Sequence, residues 1–284
     1  ILKMISYRHS PYKLRHHIVR YMGNHKEVRI EMTYDDHVRP QNHSYRQMTQ
    51  SQPEGGSEST GRVPNLVSNS LLQREYPNIV VLRGPLNQNK IALTFDDGPD
   101  IRFTPQVLDV LGEYQVKATF FLMGARAEEH QPIVRRIYAE GHAIGNHGYW
   151  HPNLTEESLE RVHWEVTATE ETIYQILGIR TRLFRPPYGA LNRQIVELIG
   201  SLGYAIILWN VDSLDWKQLG ADVIADTVLG NTMPGSIILM HDGGDWTMDL
   251  SGTVESLHTI IPTLQAQGME FVTIPELLNI SGTK

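Results

Sequence analysis

From residue 90 onward the chain repeats one unit, a short apolar run rich in β-formers followed by a stretch with helical spacing. The runs are KIALTF, KATFFLMG, HAIGNH, RLFRPP, YAIILWNVD, SIILMHD and MEFVTI. Alternation of this kind does not suit hairpins. It calls for parallel strands joined by crossover helices, because a parallel pair needs a long connection between its members. Two α/β architectures satisfy it, a parallel barrel and an open doubly wound sheet, and in both the functional residues gather at the carboxyl ends of the strands. The spacing predicts a longest helix opening at Thr155, with Glu156 and Glu157 in its first turn, and closing near Gly178. Asn192 is expected to open the helix that runs toward Gly203.

The 284 residues carry 40% apolar side chains, enough for a sizeable core, and no apolar run approaches the ~18 residues of a membrane span. The first residue is Ile1 rather than Met, which leaves room for an upstream signal peptide or anchor. Without cysteine, any metal site must be built from His, Asp and Glu. The net charge of -7 is unevenly spread: residues 1–90 carry 13 Lys+Arg against 7 Asp+Glu, and residues 91–284 carry 12 against 25. So acidic a region is a poor partner for nucleic acid and suits a neutral or cationic substrate. The run MTQSQPEGGSESTGRVP is nearly devoid of apolar residues and reads as a flexible linker over 48–64. It separates an N-terminal extension, 1–47, from a larger domain, 65–284. In the extension EVRIEMTY alternates like a strand, LRHHIVRYM reads as a short helix, and scattered spacing argues against a metal role for its six histidines.

Polar residues that composition does not explain fall at the strand ends. Asp96 and Asp97 follow the first run, His147 and His151 the third, Arg185 the fourth, Asp212 the fifth, and His241 with Asp242 the sixth. Gly148 and Pro152 disfavour a helix around the two histidines, so a loop presenting both imidazoles is expected. Two histidines and a carboxylate with an open position form a common catalytic site for zinc or a similar ion. Adjacent carboxylates then have a chemical reason, since one can bind a metal while the other takes a proton from the attacking water. His241, from another strand, could protonate the leaving group.

The motifs TFDDGP (94–99), HGYWHP (147–152), RPPYG (185–189), DSLDW (212–216) and LMH (239–241) resemble, in order and spacing, those of the NodB-type polysaccharide deacetylases, carbohydrate esterase family 4. The resemblance covers about residues 88–280. It implies a distorted (β/α) barrel of seven or eight strands, and a divalent metal, zinc in most members and cobalt or nickel in some, held by Asp97, His147 and His151. It further implies Asp96 as base, paired with Arg185, and His241 as acid, oriented by Asp212, with Asp215 left as a structural residue. The Tyr188 N–H is expected at the developing oxyanion, and Trp216 and Leu239 around the acetyl methyl. Where the family usually has Ser or Thr after the first histidine, this chain has Gly148, so a hydroxyl brace for the ligand loop is missing and a looser metal is expected.

The resemblance implies an enzyme removing N-acetyl groups from N-acetylglucosamine in a cell-wall or chitin-like glycan, peptidoglycan being preferred, at an extracellular or wall-associated location. Two other functions fit the motifs: an O-acetyl esterase on xylan or another acetylated polymer, and a non-catalytic glycan-binding module, against which Asp96 and His241 weigh. Trp209 reads as core, and Trp150 and Trp246 as residues able to stack on sugars. His130, His142, His163 and His258 read as surface or structural.

Overall fold

The structure is a computed structural model and describes residues 67–284. The expected extension, 1–47, and linker, 48–64, lie outside the described residues.

Among the described residues nine strands form the sheet, every ladder parallel. They are β1 (Val80–Val81), β2 (Lys90–Asp96), β3 (Thr119–Leu122), β4 (Ala143–Asn146), β5 (Leu183–Phe184), β6 (Ala205–Ile207), β7 (Val211–Asp212), β8 (Ile237–His241) and β9 (Glu270–Phe271). The order is β1-β6-β5-β4-β3-β2-β8-β7, with β9 paired to the first residues of β2. Two strands go beyond the seven runs. β1 is only two residues long and leaves little trace in the sequence. YAIILWNVD divides into β6 and β7, which lie near opposite ends of the sheet although only residues 208–210 separate them. Four residue steps span at most about 14 Å, so the sheet must curl until its ends nearly meet. The result is the distorted barrel, closed by a bend in the chain. Asn210 seals the bend by donating its N–H to Ile237 O and accepting the Ile237 N–H on Oδ1.

Side-chain alternation along the strands divides the core in two. On β2, Ile91, Leu93 and Phe95 pack in the layer that contains Val107 and Leu111 of helix α2 (Thr104–Glu113) and Leu257 and Ile261 of helix α8 (Ser251–Ala266), while Ala92 belongs to the other cluster. On β8, Ile238 and Met240 join the first cluster and Ile237 and Leu239 the second. Both faces of these strands are buried, which is why they read as unbroken apolar runs. Asp96 and His241, in phase with Ala92 and with Leu239, therefore end their strands on the inner side.

The longest helix among the described residues, α5, spans Leu159–Leu177. Its cap lies three residues beyond the expected Thr155, because Leu154–Glu156 forms a separate 3-10 turn capped by Asn153 and the α-helix is capped by Ser158, whose Oγ accepts the Arg161 N–H. Its end at Gly178 (φ 71°) and the Asn192 cap of helix α6 (Arg193–Ser201) agree with the expectation. Among the described residues, no helix is long and apolar enough to cross a membrane.

Candidate active site

The strand-end residues converge at the carboxyl end of the barrel. Asp96 closes β2, and the parallel register places it beside His241 at the end of β8. Strand alternation would send Asp97 to the opposite face, but its φ of 69° turns the backbone and brings its carboxylate to the two imidazoles. Asp97 Oδ1 lies 3.1 Å from His151 Nε2 and 3.4 Å from His147 Nε2. His151 and Tyr188 also hold left-handed backbones, φ 61° and 60°, so strain concentrates around the cluster.

One donor atom from each of Asp97, His147 and His151 lies within 4.8 Å of the others, a spacing suited to a metal ion. Two further observations fit a cation there. Asp97 Oδ1 is buried and makes no hydrogen bond. His147 Nδ1 lies 2.8 Å from the Arg185 carbonyl oxygen, which only accepts, so Nδ1 carries the proton and Nε2 presents its lone pair to the cluster. Burial pushes the Asp97 carboxyl up, yet the facing imidazoles, His151 above all, outweigh it and hold the group well below the usual carboxylate range.

Asp96 has a different environment. Its Oδ1 accepts from Arg185 Nη1 at 2.7 Å, while Oδ2 is buried without a hydrogen bond. Burial raises its carboxyl above the ordinary value against the pull of Arg185. The guanidinium is itself wholly buried, donating to Thr94 Oγ1, Ile207 O and Leu208 O and lying 4.1 Å over the Phe121 ring. Rigidly held, it fixes Asp96 in turn.

His241 has a carboxylate partner beyond the one expected from the sequence. Asp215, in the turn Asp215–Lys217, places Oδ1 2.7 Å from His241 Nδ1, and its Oδ2 accepts the His241 N–H and the Thr253 hydroxyl. Asp212 Oδ1 accepts the Leu214 N–H at 2.9 Å, closing a local turn. Asp215, the residue first read as structural, is therefore a candidate to orient His241 beside Asp212. Its carboxylate only accepts, so Nδ1 of His241 carries a proton.

Of the remaining residues, Leu239 is fully buried in register with Thr94 and Asp212, and Tyr188 packs its ring edge-on to His151 at 4.6 Å. Trp216 is half-buried, with an indole N–H that has no partner. Trp209 is core at 1% exposure, whereas Trp150 and Trp246 stand out at 50% and 82% on the loops after β4 and β8. His142 is a buried structural residue whose Nδ1 accepts the Ala118 N–H. Asp242, buried against Thr104, was not assigned from the sequence; burial first and then Asp97 and Asp96 push its carboxyl up to about 7.

Residues 83–207 match the polysaccharide deacetylase family profile. The chain is 44% identical over 200 residues to a peptidoglycan-N-acetylglucosamine deacetylase of Bacillus cereus, covering 70% of this chain and 71% of that one. The chain belongs to the polysaccharide deacetylase family. The family likeness extends to a chitooligosaccharide deacetylase of Azorhizobium caulinodans, 38% identical over 66% of this chain and 94% of that one. It holds in three dimensions as well: the crystal structure of the Bc1960 peptidoglycan N-acetylglucosamine deacetylase superposes with a TM-score of 0.69 at 43% identity, covering 72% of this chain and 94% of that one. As a member of this family the chain is a metal-dependent hydrolase, with Asp97, His147 and His151 as its candidate metal site.

Proposed function

We propose that this deacetylase hydrolyses the N-acetyl groups of N-acetylglucosamine residues in peptidoglycan, at the cell surface and with zinc in the Asp97–His147–His151 site. The substrate follows the relatives with known activity. The reaction rests on one observation: adjacent carboxylates with opposite surroundings, Asp97 facing two imidazoles and Asp96 held by a buried arginine, with an aspartate-oriented histidine in register across the ladder.

Zinc, when bound, supplies Lewis acidity and lowers the pKa of the attacking water. The residues do the rest. Arg185 occupies Asp96 Oδ1, leaving Oδ2 to accept a proton as water adds to the acetyl carbonyl carbon. As charge gathers on the carbonyl oxygen, the Tyr188 N–H is the donor proposed to meet it. His241 then delivers a proton through Nε2 to the sugar nitrogen, the C–N bond breaks, and acetate leaves with a free amine on the glycan. Leu239 and Trp216 would border the acetyl methyl, and the exposed Trp150 and Trp246 offer faces for neighbouring sugars.

Acetate release from peptidoglycan, N-acetylglucosamine oligomers and acetylated xylan, each with chelator and with zinc restored, tests the reading. Zinc-dependent release from the N-acetyl substrates, highest on peptidoglycan, is expected. Release from xylan alone would make the chain an O-acetyl esterase.

A further inference from the structure

Glu165, on α5, is fully buried, yet its carboxylate reaches the loop that carries both histidines. Oε2 accepts the N–H of Tyr149 at 2.6 Å and of Trp150 at 2.8 Å, and Arg161 Nη2 lies 2.7 Å from Oε1. A buried carboxylate is costly unless its charge is met, and here two amides and a guanidinium meet it. The other backbone groups of the loop are also held. The His147 N–H donates to Leu122 O, the Gly148 N–H to Asn146 Oδ1, and the carbonyls of Gly148 and Tyr149 accept from Gly124 and Ala125. Glu165 brings a carboxylate to this backbone and serves two consecutive amides immediately before His151. His151 sits in a left-handed conformation, at φ 61°, which a loop released from its anchors would tend to abandon.

We infer that Glu165 is a positioning residue for the metal site: it sets the His147–His151 loop in its ligating shape before any ion arrives, and so supplies from a helix the brace that no side chain at Gly148 can give. The inference rests on the reading of Asp97, His147 and His151 as the metal ligands. A carboxylate serving only to dock α5 would affect stability and leave metal affinity alone.

The test compares Glu165→Ala, Glu165→Gln and Arg161→Ala with the parent chain. Two readouts are needed: amide hydrogen exchange at Tyr149 and Trp150 in metal-free protein, and the zinc dissociation constant by competition with a chromophoric chelator. Glu165→Ala is expected to exchange both amides at least ~10-fold faster and to bind zinc ~10- to 100-fold more weakly, with acetate release recovering at saturating zinc. Glu165→Gln, whose amide oxygen can still accept both N–H groups, should fall between. Arg161→Ala should keep both amides protected. A zinc constant within about twofold of the parent in folded Glu165→Ala would overturn the proposal, as would an activity loss that zinc does not restore. Should Glu165→Ala not fold, Glu165→Gln decides by the same readouts, a zinc constant equal to the parent's counting against the brace. No zinc binding by the parent would overturn the site reading itself, a result distinguished by amide protection that still depends on Glu165.

Discussion

Asp96 and Asp97 are neighbours in the chain and opposites in their surroundings, and the difference comes from residues far away in sequence. Arg185 reaches Asp96 from the end of β5, and the loop after β4 brings two imidazoles to Asp97. The motif residues were legible because polar side chains at the ends of apolar runs have no structural reason to be there. The contact of Asp215 with His241 was less legible. Asp212 and Asp215 lie in one short acidic motif, and only the turn between them sets Asp215 against the imidazole. Asp215→Asn should therefore keep bound zinc but lower kcat by at least ~10-fold, since the imidazole loses the carboxylate that fixes its tautomer and steadies its charged form. Steady-state kinetics beside zinc content checks this, and a loss confined to Asp212→Asn would give the orienting role to Asp212 alone.

The loops after the strands are held as firmly as the strands. The loop after β8 is tied down by Arg102, whose guanidinium donates to the carbonyls of Asp245, Trp246 and Met248 while its Nε and Nη2 engage Asp100, and by Arg126, which donates to Gly244 O. Gly243 lets this loop lie against the backbone of Asp97: a Cβ there would come within 2.4 Å of Asp97 O and 2.8 Å of Arg126 Nη1. Gly243→Ala should cost ~1–3 kcal/mol of stability and weaken zinc binding, because the backbone that must give way carries a ligand. Urea unfolding with a zinc competition assay measures both, and unchanged zinc affinity would show that the two loops are independent. The ties that reach the loop after β8 are not visible in sequence, for they join residues more than a hundred positions apart. Glu165 is a nearer case: the sequence marks it as one more acid on a helix, and only the packing of α5 turns it toward the histidine loop.

At the scale of the molecule, the alternation of runs and helices was enough to specify a parallel α/β fold, but it left barrel and open sheet undecided. What decides is the break at residues 208–210, hidden inside a run whose apolar residues continue because Leu208 and Trp209 are core too. At the amino end of the barrel His142 makes stability depend on pH. Burial first, then the charge of Lys117, depresses its pKa from 6.5 to about 4. As pH falls through 6.5 the unfolded chain takes the proton first, so the stabilisation, full above that pH, shrinks until about pH 4, by roughly 3 kcal/mol in all. His142→Asn, whose Oδ1 can accept the Ala118 N–H, should flatten this part of the profile between pH 7.5 and 4.5 in urea unfolding; an unchanged slope would assign it to other groups.

The division of labour between the paired carboxylates is tested most directly by measuring zinc content and acetate release together in Asp96→Asn and Asp97→Asn. Asp96→Asn should retain zinc and lose ~10²- to 10⁴-fold in turnover, the range for a lost general base, while Asp97→Asn should lose both zinc and turnover. Parent-level acetate release from a folded, zinc-loaded Asp96→Asn protein would contradict the account.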